Sequence, residues 1–393
     1  MTNPRPLRVA FPSIPRRRWA GGYNYQRNLF AALSRYCPGE IVPVVFASRK
    51  DDPAEVAAIS QIPDVEVAVS NVFDYEDRRS RLPSALLWGL DRLAAAELRA
   101  NRIDVAFEHA RFFGWRLSVP AIAWLPDFQH GRLPQLFSTA AWWRRELCFR
   151  AQIMSGRHIL LSSESALADF RKFYPRLTNG VSVARFATEP EAALLTTNPA
   201  EILTKYGLLP GYFYLPGQFW RHKNHQVVLD ALTILKERGR DIVVAASGSA
   251  KGLRDADYFD NLMRQIKARG LQTNFRYLGI IPLDHVYALL RMSVALINPS
   301  RFEGWSTTVE EARSFGVPFI LSDIDVHREQ AGNKACYFGL DDPATLADQL
   351  WAALQTAGPP VARDLLPDVD QRVAAFAADF ARVVQNTVQS SRR

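Results

Sequence analysis

The chain has 393 residues, of which 48% are hydrophobic and 22% charged, and these globular proportions exclude a disordered protein. At ~150 residues per domain, the length predicts two or three domains. The net charge of +8 is concentrated near the N-terminus, where residues 1–50 carry nine basic side chains against one acidic side chain. This distribution argues against a nucleic-acid-binding surface spread over the protein and predicts one local site that meets negative charge.

The sequence also argues against a membrane-spanning protein and against a secreted protein. No run approaches ~18 consecutive apolar residues, so we expect no transmembrane helix, and the N-terminus lacks the apolar core of a signal peptide. Cys37, Cys148 and Cys336 are widely spaced in apolar surroundings, which is typical of reduced core thiols rather than of a disulfide or metal framework. We therefore expect a cytoplasmic protein.

The first half of the chain alternates short apolar runs with helical patterns. Leu7–Phe11 predicts a strand, and a loop rich in Pro, Arg and Gly follows as far as Gly22, where a helix is expected to begin. Helical patterns also lie around residues 83–100 and 139–157. The other predicted strands are Ile41–Phe46, Val65–Val69, Val105–Phe107, Ala121–Trp124 and Ile159–Leu161. Strands that alternate with helices predict a parallel sheet.

Residues 185–210 break this rhythm and are predicted to be a linker, after which the alternation restarts. The second set of strands is predicted at Phe213–Leu215, Ile242–Ala246, Phe275–Leu278, Val294–Asn298 and Phe319–Leu321, with helices near 224–239, 257–269, 283–291 and 307–315. A last amphipathic stretch, Val369–Val388, predicts a C-terminal helix. The fold class is therefore α/β, with two Rossmann-like domains whose strand ends invite a ligand site in a cleft.

The strongest local signal is residues 298–312, in which Glu303 and Glu311 are eight residues apart. We expect a helix to begin near Ser306 or Thr307, just after the loop that carries Glu303. A helix N-terminus presents free N–H groups and partial positive charge, which suits a diphosphate. The two carboxylates are placed to bind hydroxyl groups of a sugar and a ribose on either side. The alternative is that acidic residues merely stabilise the first helical turn.

A second signal is the basic segment 216–225, which follows a predicted strand and precedes a helix. A Rossmann-like unit places its ligand-binding loop there. Arg221 and Lys223 offer the positive charge that a diphosphate leaving group needs. A solvated basic loop is the alternative, and the position after a strand makes it the weaker one.

Taken in order, these segments resemble the GT-B glycosyltransferases of family 4, which are retaining enzymes. Three motifs of that family match, namely Gly21 and Gly22 of the paired-glycine loop, Gly217 and Lys223 of the Gly-x5-Lys element, and Glu303 and Glu311 of the E-x7-E motif. Residues 124–138, 219–225 and 320–329 resemble a subgroup that acts on bacterial surface polysaccharides, including mannosyl- and rhamnosyl-type transferases. The resemblance extends from the first strand to about residue 350.

The resemblance implies a GT-B architecture in which two Rossmann-like domains face a cleft. Residues 1–190 would form the acceptor domain and residues 200–365 the nucleotide-sugar donor domain. Residues 366–393 would form a helix that packs back on the N-terminal domain.

The resemblance also implies a catalytic set of Glu303, Lys223, His130 and Asp127. Lys223 would neutralise the donor diphosphate, Glu303 would bind hydroxyls of the transferred sugar, and His130 with Asp127 would lie beside the reacting sugar and the acceptor. For His130 three roles stay open: general base, orientation of the substrate, or a satisfied structural histidine. The donor-binding set would be Gly21, Gly22, Arg221, Gly248, Gly279, Gly304, Trp305, Ser306, Thr307, Thr308 and Glu311, with Glu311 on the ribose.

One departure from the family pattern is Gln218, where many members have an arginine directly after the glycine of the lysine loop. Arg221, His222 or an N-terminal arginine would then supply the missing charge. Asp-x-Asp pairs, which bind metals in other nucleotide-sugar enzymes, occur at Asp255/Asp257, Asp323/Asp325 and Asp368/Asp370. Because a helix end and Lys223 already supply positive charge, we expect no metal and no cofactor apart from the nucleotide-sugar substrate.

Two segments of the N-terminal half suggest the acceptor. Arg16, Arg17 and Arg18 directly precede the glycine pair, and we expect them to meet an anionic acceptor, such as a lipid-linked diphosphate glycan, or the donor's phosphates. Residues 141–150 mix aromatic and basic side chains, which predicts either contact with an anionic membrane surface or a covering helix with snorkelling arginines. The covering helix is the favoured interpretation.

The predicted function is retaining transfer of a hexose or deoxyhexose, with GDP-mannose as the preferred donor, to a growing bacterial glycan or lipid-linked acceptor. The enzyme would work in the cytoplasm or at the cytoplasmic face of the membrane, without nucleic acid. The alternative is a catalytically silent glycan-binding or scaffold subunit, which would be expected to have lost Lys223 or one of the two glutamates. A nucleotide-sugar epimerase or phosphorylase is a weaker alternative.

Overall fold

The computed structural model describes residues 5–75, 77–176, 179–250 and 257–391. The chain divides into two compact units. The first contains the residues up to Ala187 and those from Asp370 onward, and the second is Thr188–Val369. Within the described ranges, no helix is both long and apolar enough to cross a membrane.

The first unit is built on a parallel sheet, with seven strands among the described residues in the order β3-β2-β1-β4-β5-β6-β7. The central strands are apolar and buried along almost their whole length, as expected where helices cover both faces of a parallel sheet. The strands are β1 (Leu7–Pro12), β2 (Ile41–Ala47), β3 (Glu66–Val69), β4 (Val105–His109), β5 (Ala121–Leu125), β6 (His158–Leu161) and β7 (Val181–Val183).

The helices of this unit connect successive strands. Those described before the unit boundary are α1 (Ala20–Tyr36), α2 (Pro53–Ser60), α3 (Arg78–Leu87), α4 (Arg92–Ala100), α5 (Gln129–Arg132), α6 (Thr139–Met154) and α7 (Glu164–Phe173).

The second unit repeats the arrangement, with six described strands in the order β10-β9-β8-β11-β12-β13. This is the order of a doubly wound nucleotide-binding sheet, whose ligands bind beyond the carboxyl ends of the strands where the order reverses, here between β8 and β11. The strands are β8 (Phe213–Pro216), β9 (Val244–Ser247), β10 (Phe275–Tyr277), β11 (Leu296–Asn298), β12 (Phe319–Ser322) and β13 (Ala335–Phe338). The helices are α8 (Pro199–Tyr206), α9 (His225–Glu237), α10 (Asp257–Ala268), α11 (Leu283–Met292), α12 (Thr307–Ser314), α13 (Asp325–Ala331) and α14 (Pro343–Thr356).

The C-terminal helix α15 (Val369–Ser391) belongs almost entirely to the first unit. Its Phe376 ring packs 5.6 Å from Tyr25 between ring centroids, and its Phe380 ring packs 5.9 Å from both Phe11 and Phe107. Each fully buried phenylalanine stabilises the fold by roughly 1.5–3 kcal/mol. The helix is therefore part of the core of this unit.

The α/β class and the pair of Rossmann-like sheets are confirmed, and every predicted strand is present within two residues of its predicted start. Two strands were not predicted, β7 and β13. Both lie at a sheet edge, and their residues are mostly half-buried or exposed, so they lack the apolar run that marks a central strand.

The helices differ from the sequence predictions at three places. The pattern at 83–100 is two helices, separated at Gly89, which has a positive φ of 74°, and restarted by the Asp91 cap of α4. The predicted linker contains α8, which Asn198 caps at its start. The first helix begins at Ala20 rather than after Gly22, so the two glycines lie in its first turn and not in a loop.

Candidate active site

Strands β8 and β11 are neighbours, and the segments that follow them bring Lys223 and Glu303 together. Lys223 lies in a short turn after β8, and its Nζ donates a hydrogen bond to Glu303 Oε1 at 2.6 Å. The two side chains are 25% and 10% exposed. A backbone hydrogen bond of 2.7 Å from Arg301 N to His222 O joins the same two loops. The pair therefore marks the point where both predicted motifs meet.

Glu303 is an ionised acceptor in this arrangement. Burial opposes its ionisation, but the charge and hydrogen bond of Lys223 outweigh burial and hold the pKa of Glu303 below its ordinary value. Ser300 Oγ donates to the same Oε1 at 2.7 Å. The other oxygen, Oε2, accepts no hydrogen bond from any described residue, so it is available to a hydroxyl group.

The N-terminus of α12 offers fewer free amides than the sequence predicted. Ser306 is the N-cap, and its own N–H already donates to Gln330 Oε1 at 3.0 Å. The N–H groups of Thr307 and Thr308 donate to no residue in the described ranges. Gly304 and Trp305 lie in the loop directly before the cap. The predicted anion cradle at 305–308 therefore contains the free amides of Thr307 and Thr308, and Ser306 has a structural role.

Glu311 lies in the second turn of α12 and is half-buried. In the described part of the chain it has no hydrogen bond and no ion pair. Burial raises its pKa to about 7. A carboxylate that is held near its ionisation point without a protein partner is available to a ligand hydroxyl.

The predicted glycines of the second unit follow its adjacent strands β8, β9 and β10. Gly217 N donates to Ser247 O and Gly248 N donates to Gly279 O, both at 2.8 Å. A Cβ atom on Gly248 would lie 1.9 Å from the Gly217 carbonyl oxygen, whereas one on Gly279 would meet open space. Gly248 is therefore required by the close approach of two loops.

Arg221 does not join the Lys223–Glu303 pair. Its guanidinium carbon lies 5.7 Å from the centre of the Tyr258 ring and it lines a cavity of about 290 Å³ with Asn224, Asn261 and Arg301. Lys223 lines a different and much smaller cavity at the ends of β8 and β11. This geometry does not support the predicted helper role of Arg221 beside Lys223.

His130 lies in the interior of the first unit and is 2% exposed. Its Nε2 is 3.1 Å from Glu146 Oε2, and Trp142 Nε1 donates to the His130 carbonyl at 2.8 Å. Burial raises the pKa of Glu146, but hydrogen bonds from His130, Tyr174 and Arg150 lower it to about 2. These contacts support the structural role of His130, and its predicted role beside the substrate stays a prediction.

Asp127 is likewise engaged with its own fold. Its Oδ1 accepts hydrogen bonds from Gln129 N at 2.9 Å and from Arg145 at 2.6 Å. The two bonds fix the turn before α5 and connect it to α6.

The predicted anion-binding arginines and glycines of the first unit are adjacent but differ in exposure. Arg16, Arg17 and Arg18 are exposed in the turn before α1. The Trp19 ring lies against Gly22, where a Cβ atom would be 2.4 Å from Trp19 Cε3, and it stacks on Trp124 with 5.3 Å between ring centroids. The space beside Gly22, where the backbone was predicted to approach a phosphate, is thus occupied by the indole ring of Trp19.

Of the three Asp-x-Asp pairs considered as metal ligands, Asp323/Asp325 directly follows strand β12 of the second unit. Asp255 of the first pair lies outside the described residues. Asp323 is exposed and forms an ion pair with Arg328 on α13. Among the described residues, no group of three or more His, Cys, Asp or Glu side chains is arranged to hold a metal ion.

Sequence reasoning missed His327 and Gln330 of α13, whose side chains bond to backbone groups beside the Glu303 loop. His327 lies in segment 320–329, which carries part of the family resemblance, but no role was predicted for it, and Gln330 follows directly after that segment. Their partners lie outside this helix, so no local pattern marks the contacts.

Comparison with known proteins agrees with the fold, and the matched family model covers part of the second unit. Residues 210–357 match the family model described as "Glycosyl transferases group 1". The chain is 24% identical over 209 residues to "O-antigen chain mannosyltransferase B" of Escherichia coli, covering 51% of this chain and 52% of that protein. It is 29% identical over 128 residues to "O-antigen biosynthesis glycosyltransferase WclY" of Escherichia coli, covering 33% of each.

Among solved structures, Anabaena Alr3699/HepE in complex with UDP and glucose aligns with a TM-score of 0.63 at 15% identity, covering 98% of this chain and 97% of that chain. The alignment extends over both Rossmann-like units and confirms the GT-B fold. The matches to the curated relatives named above span a third to about half of the length of those proteins.

Proposed function

Since residues 210–357 match the model of the group 1 glycosyl transferases, we propose that the chain is a retaining glycosyltransferase. It moves a hexose or deoxyhexose from a nucleoside-diphosphate sugar to a bacterial glycan or lipid-linked acceptor. The observation that carries the proposal is the Lys223–Glu303 pair at the switch point between β8 and β11, beside the two free amides of α12. Enzymes of this sheet type bind nucleotides there.

The proposed reaction needs a cation and an oriented sugar more than it needs a protein nucleophile. The bond between the sugar's anomeric carbon and the diphosphate oxygen breaks, and a bond to the acceptor oxygen forms on the same face. The leaving diphosphate takes the acceptor's hydroxyl proton, so the products are a glycoside and a nucleoside diphosphate. Catalysis then consists of positioning and of stabilising the negative charge on the leaving group.

The described residues supply those functions. Lys223 meets the diphosphate charge, and the amides of Thr307 and Thr308 at the positive end of α12 add hydrogen-bond donors. Glu303 Oε2 accepts from a hydroxyl of the transferred sugar. Glu311 accepts from the ribose, because it is half-buried on the same helix and has no partner in the described chain.

The preferred donor is GDP-mannose. One relative named above is a mannosyltransferase, which supports a mannosyl donor, whereas the structural neighbour HepE was solved with UDP and glucose. The experiment is therefore a panel of GDP-, UDP- and dTDP-sugars with acceptor extracts, assayed by release of nucleoside diphosphate. Release with one nucleotide class is expected, and it is expected to persist in EDTA because Lys223 and the helix end take the place of a metal.

Two variants make this panel decisive. Lys223→Ala is expected to abolish release. Lys236→Ala is the control and is expected to keep it, because Lys236, near the end of α9, donates to the carbonyls of Arg269 and Gly270. No release by the wild type with any donor would favour a silent glycan-binding or scaffold subunit. Equal loss in both lysine variants would also contradict the proposal.

The first unit is proposed to meet the acceptor at a membrane surface. Helix α6 covers the core with Cys148, Phe149 and Ile153, which agrees with the favoured covering-helix interpretation. Its outer face exposes Trp143, Leu147 and Met154, which lie on one stripe at helical spacing. An exposed apolar stripe with arginines nearby suits an anionic bilayer.

Sedimentation with vesicles tests that contact. Binding to phosphatidylglycerol vesicles is expected to exceed binding to phosphatidylcholine vesicles, and Trp143→Ala with Leu147→Ala is expected to weaken it several-fold. Equal binding by the double variant would contradict a role for α6 and leave the exposed Arg16–Arg18 turn to be tested in the same assay.

A further inference from the structure

We propose that helix α13 sets the geometry of the donor loop through two positioning residues, Gln330 and His327. This inference rests on the proposed transferase function, because it concerns how Glu303 and the α12 amides are held for that reaction. Neither residue is placed in contact with substrate.

Gln330 holds the backbone of the cap residue of α12 from both sides. Its Oε1 accepts from Ser306 N and its Nε2 donates to Ser306 O, each at 3.0 Å. The side chain is 4% exposed, so solvent does not compete for these bonds. Because Ser306 is the last residue before α12, the clamp fixes the direction in which the Thr307 and Thr308 amides point.

His327 acts on the other side of the same loop. Its Nδ1 is 2.9 Å from Ser322 O, and since a carbonyl oxygen only accepts, Nδ1 carries the proton. Ser322 Oγ donates to Ser300 O at 2.5 Å. Ser300 Oγ in turn donates to Glu303 Oε1. A continuous series of contacts therefore leads from α13 to the carboxylate at the centre of the site.

Packing alone does not explain a histidine at this position. The ring is 0% exposed, and its Nε2 has no hydrogen-bond partner among the described residues. An unsatisfied buried acceptor costs about 1–3 kcal/mol, which a leucine or phenylalanine of similar size would avoid. Burial lowers the pKa of His327, so the ring is neutral. What the histidine adds is the Nδ1–H bond to the strand that supports Ser300.

The expected effect on kcat is one of geometry, and nucleotide affinity is expected to change only where the α12 amides move. Mutating the residues that orient the direct ligands of a bound metal typically changes affinity or activity about 10–100-fold. We expect a similar factor for the residues that orient Glu303 and the α12 amides. A sugar held by a displaced Glu303 reacts slowly, because the reacting atoms must lie close and aligned. The nucleoside diphosphate also contacts Lys223 and Glu311, which neither residue touches.

The test uses the full chain and measures kcat and nucleoside-diphosphate Kd separately. We expect His327→Ala to lower kcat about 10–100-fold, with the nucleoside-diphosphate Kd changed less than about 3-fold. Gln330→Ala is expected to lower kcat by a similar factor and also to weaken Kd, because it releases the cap that directs the Thr307 and Thr308 amides. His327→Asn is expected to recover most of the loss, since its amide N–H reaches the position of Nδ1–H. Gln349→Ala is the matched control, because that glutamine also bonds a backbone carbonyl, Tyr337 O on β13, but not in the donor loop.

Amide hydrogen exchange supplies a readout that does not depend on turnover. Exchange of the Ser306 amide, which donates to Gln330 Oε1, is expected to increase about 10-fold in Gln330→Ala, while exchange at residues 217–223 stays unchanged. Unchanged exchange of the Ser306 amide, or a kcat loss matched by Gln349→Ala, would overturn the proposal. Absence of turnover in the wild type, with the exchange result as expected, would instead reject the transferase function and leave the positioning role intact.

Discussion

Lys223 Nζ and Glu303 Oε1 are 2.6 Å apart, so the two charged groups proposed to act on different parts of the donor satisfy each other. The diphosphate would take Lys223 and a sugar hydroxyl would take Glu303. Because the proposed sugar contact uses the unpaired Oε2 of Glu303, the donor would add two intermolecular contacts to the ion pair. Removing one member alone leaves the other partly buried without its partner, which is costly.

The ion pair predicts a specific pattern of stabilities. Lys223→Ala and Glu303→Gln are each expected to lower the free energy of unfolding by roughly 1–3 kcal/mol, because each leaves a polar group without its partner. The double variant is expected to lose less than the sum, since neither group is then orphaned. Urea unfolding of the four proteins measures the coupling, and purely additive losses would contradict an energetic role for the pair.

The raised pKa of Glu311 predicts how the free energy of unfolding depends on pH. Its folded-state pKa of about 7 lies above the ordinary value of 4.5, so between these pH values the folded chain keeps a proton that the unfolded chain loses. Stability contributed by this group is therefore fully present below pH 4.5 and is lost as pH rises to 7. Relative to wild type, Glu311→Gln is expected to gain up to about 3 kcal/mol at pH 8 and nothing at pH 4. Urea unfolding at both pH values measures this, and an equal difference at both would be inconsistent with the raised pKa.

The same group predicts how nucleotide affinity depends on pH. A ribose hydroxyl donates most strongly to an ionised carboxylate. Binding of nucleoside diphosphate is therefore expected to tighten as pH rises through 7. Calorimetric titrations at pH 6 and pH 8 measure the change, and Glu311→Gln is expected to bind weakly at both. A variant that keeps the pH dependence of the wild type would place the titrating group elsewhere.

The fold was predictable from sequence because buried parallel strands are apolar runs, as in Val105–His109 and Ala121–Leu125. Edge strands such as Ala335–Phe338 were missed because half-exposed residues lack that pattern. Within the site, the apolar run Val294–Asn298 predicted that Glu303 lies in the loop after a strand, and the structure has it there. The bonds from Gln330 to Ser306 join residues 24 positions apart, and no local pattern carries that information.

His130 illustrates the limit of reasoning from resemblance. A motif identifies which residue occupies a position, but the side chain here turns into the core and bonds Glu146. The resemblance implies a role for His130 beside the substrate, but the sequence alone does not show that the His130 ring contacts Glu146.

The buried position of His130 predicts a loss of stability rather than of chemistry. His130→Ala is expected to lower the free energy of unfolding by about 2–4 kcal/mol, because it removes a packed ring and one hydrogen bond to Glu146. Nucleoside-diphosphate release at a temperature where the variant is folded is expected to stay within about 3-fold of wild type. Arg150→Ala removes an exposed partner of the same carboxylate and should cost about 1 kcal/mol or less. A large fall in kcat at unchanged stability would restore His130 to the substrate site.

The paired glycines give a matched test of the first unit. A Cβ atom at Gly22 would lie 2.4 Å from Trp19 Cε3, whereas one at Gly21 would lie 3.3 Å from Trp19 Nε1. Both changes favour the helix by up to about 1 kcal/mol, so any difference between them reflects the indole ring. Gly22→Ala is expected to move Trp19 off Trp124 and to raise acrylamide quenching, while Gly21→Ala leaves it near wild type. Because Trp19 follows the three exposed arginines, Gly22→Ala is also expected to raise the acceptor KM several-fold. Identical quenching in the two variants would show that the ring does not depend on Gly22.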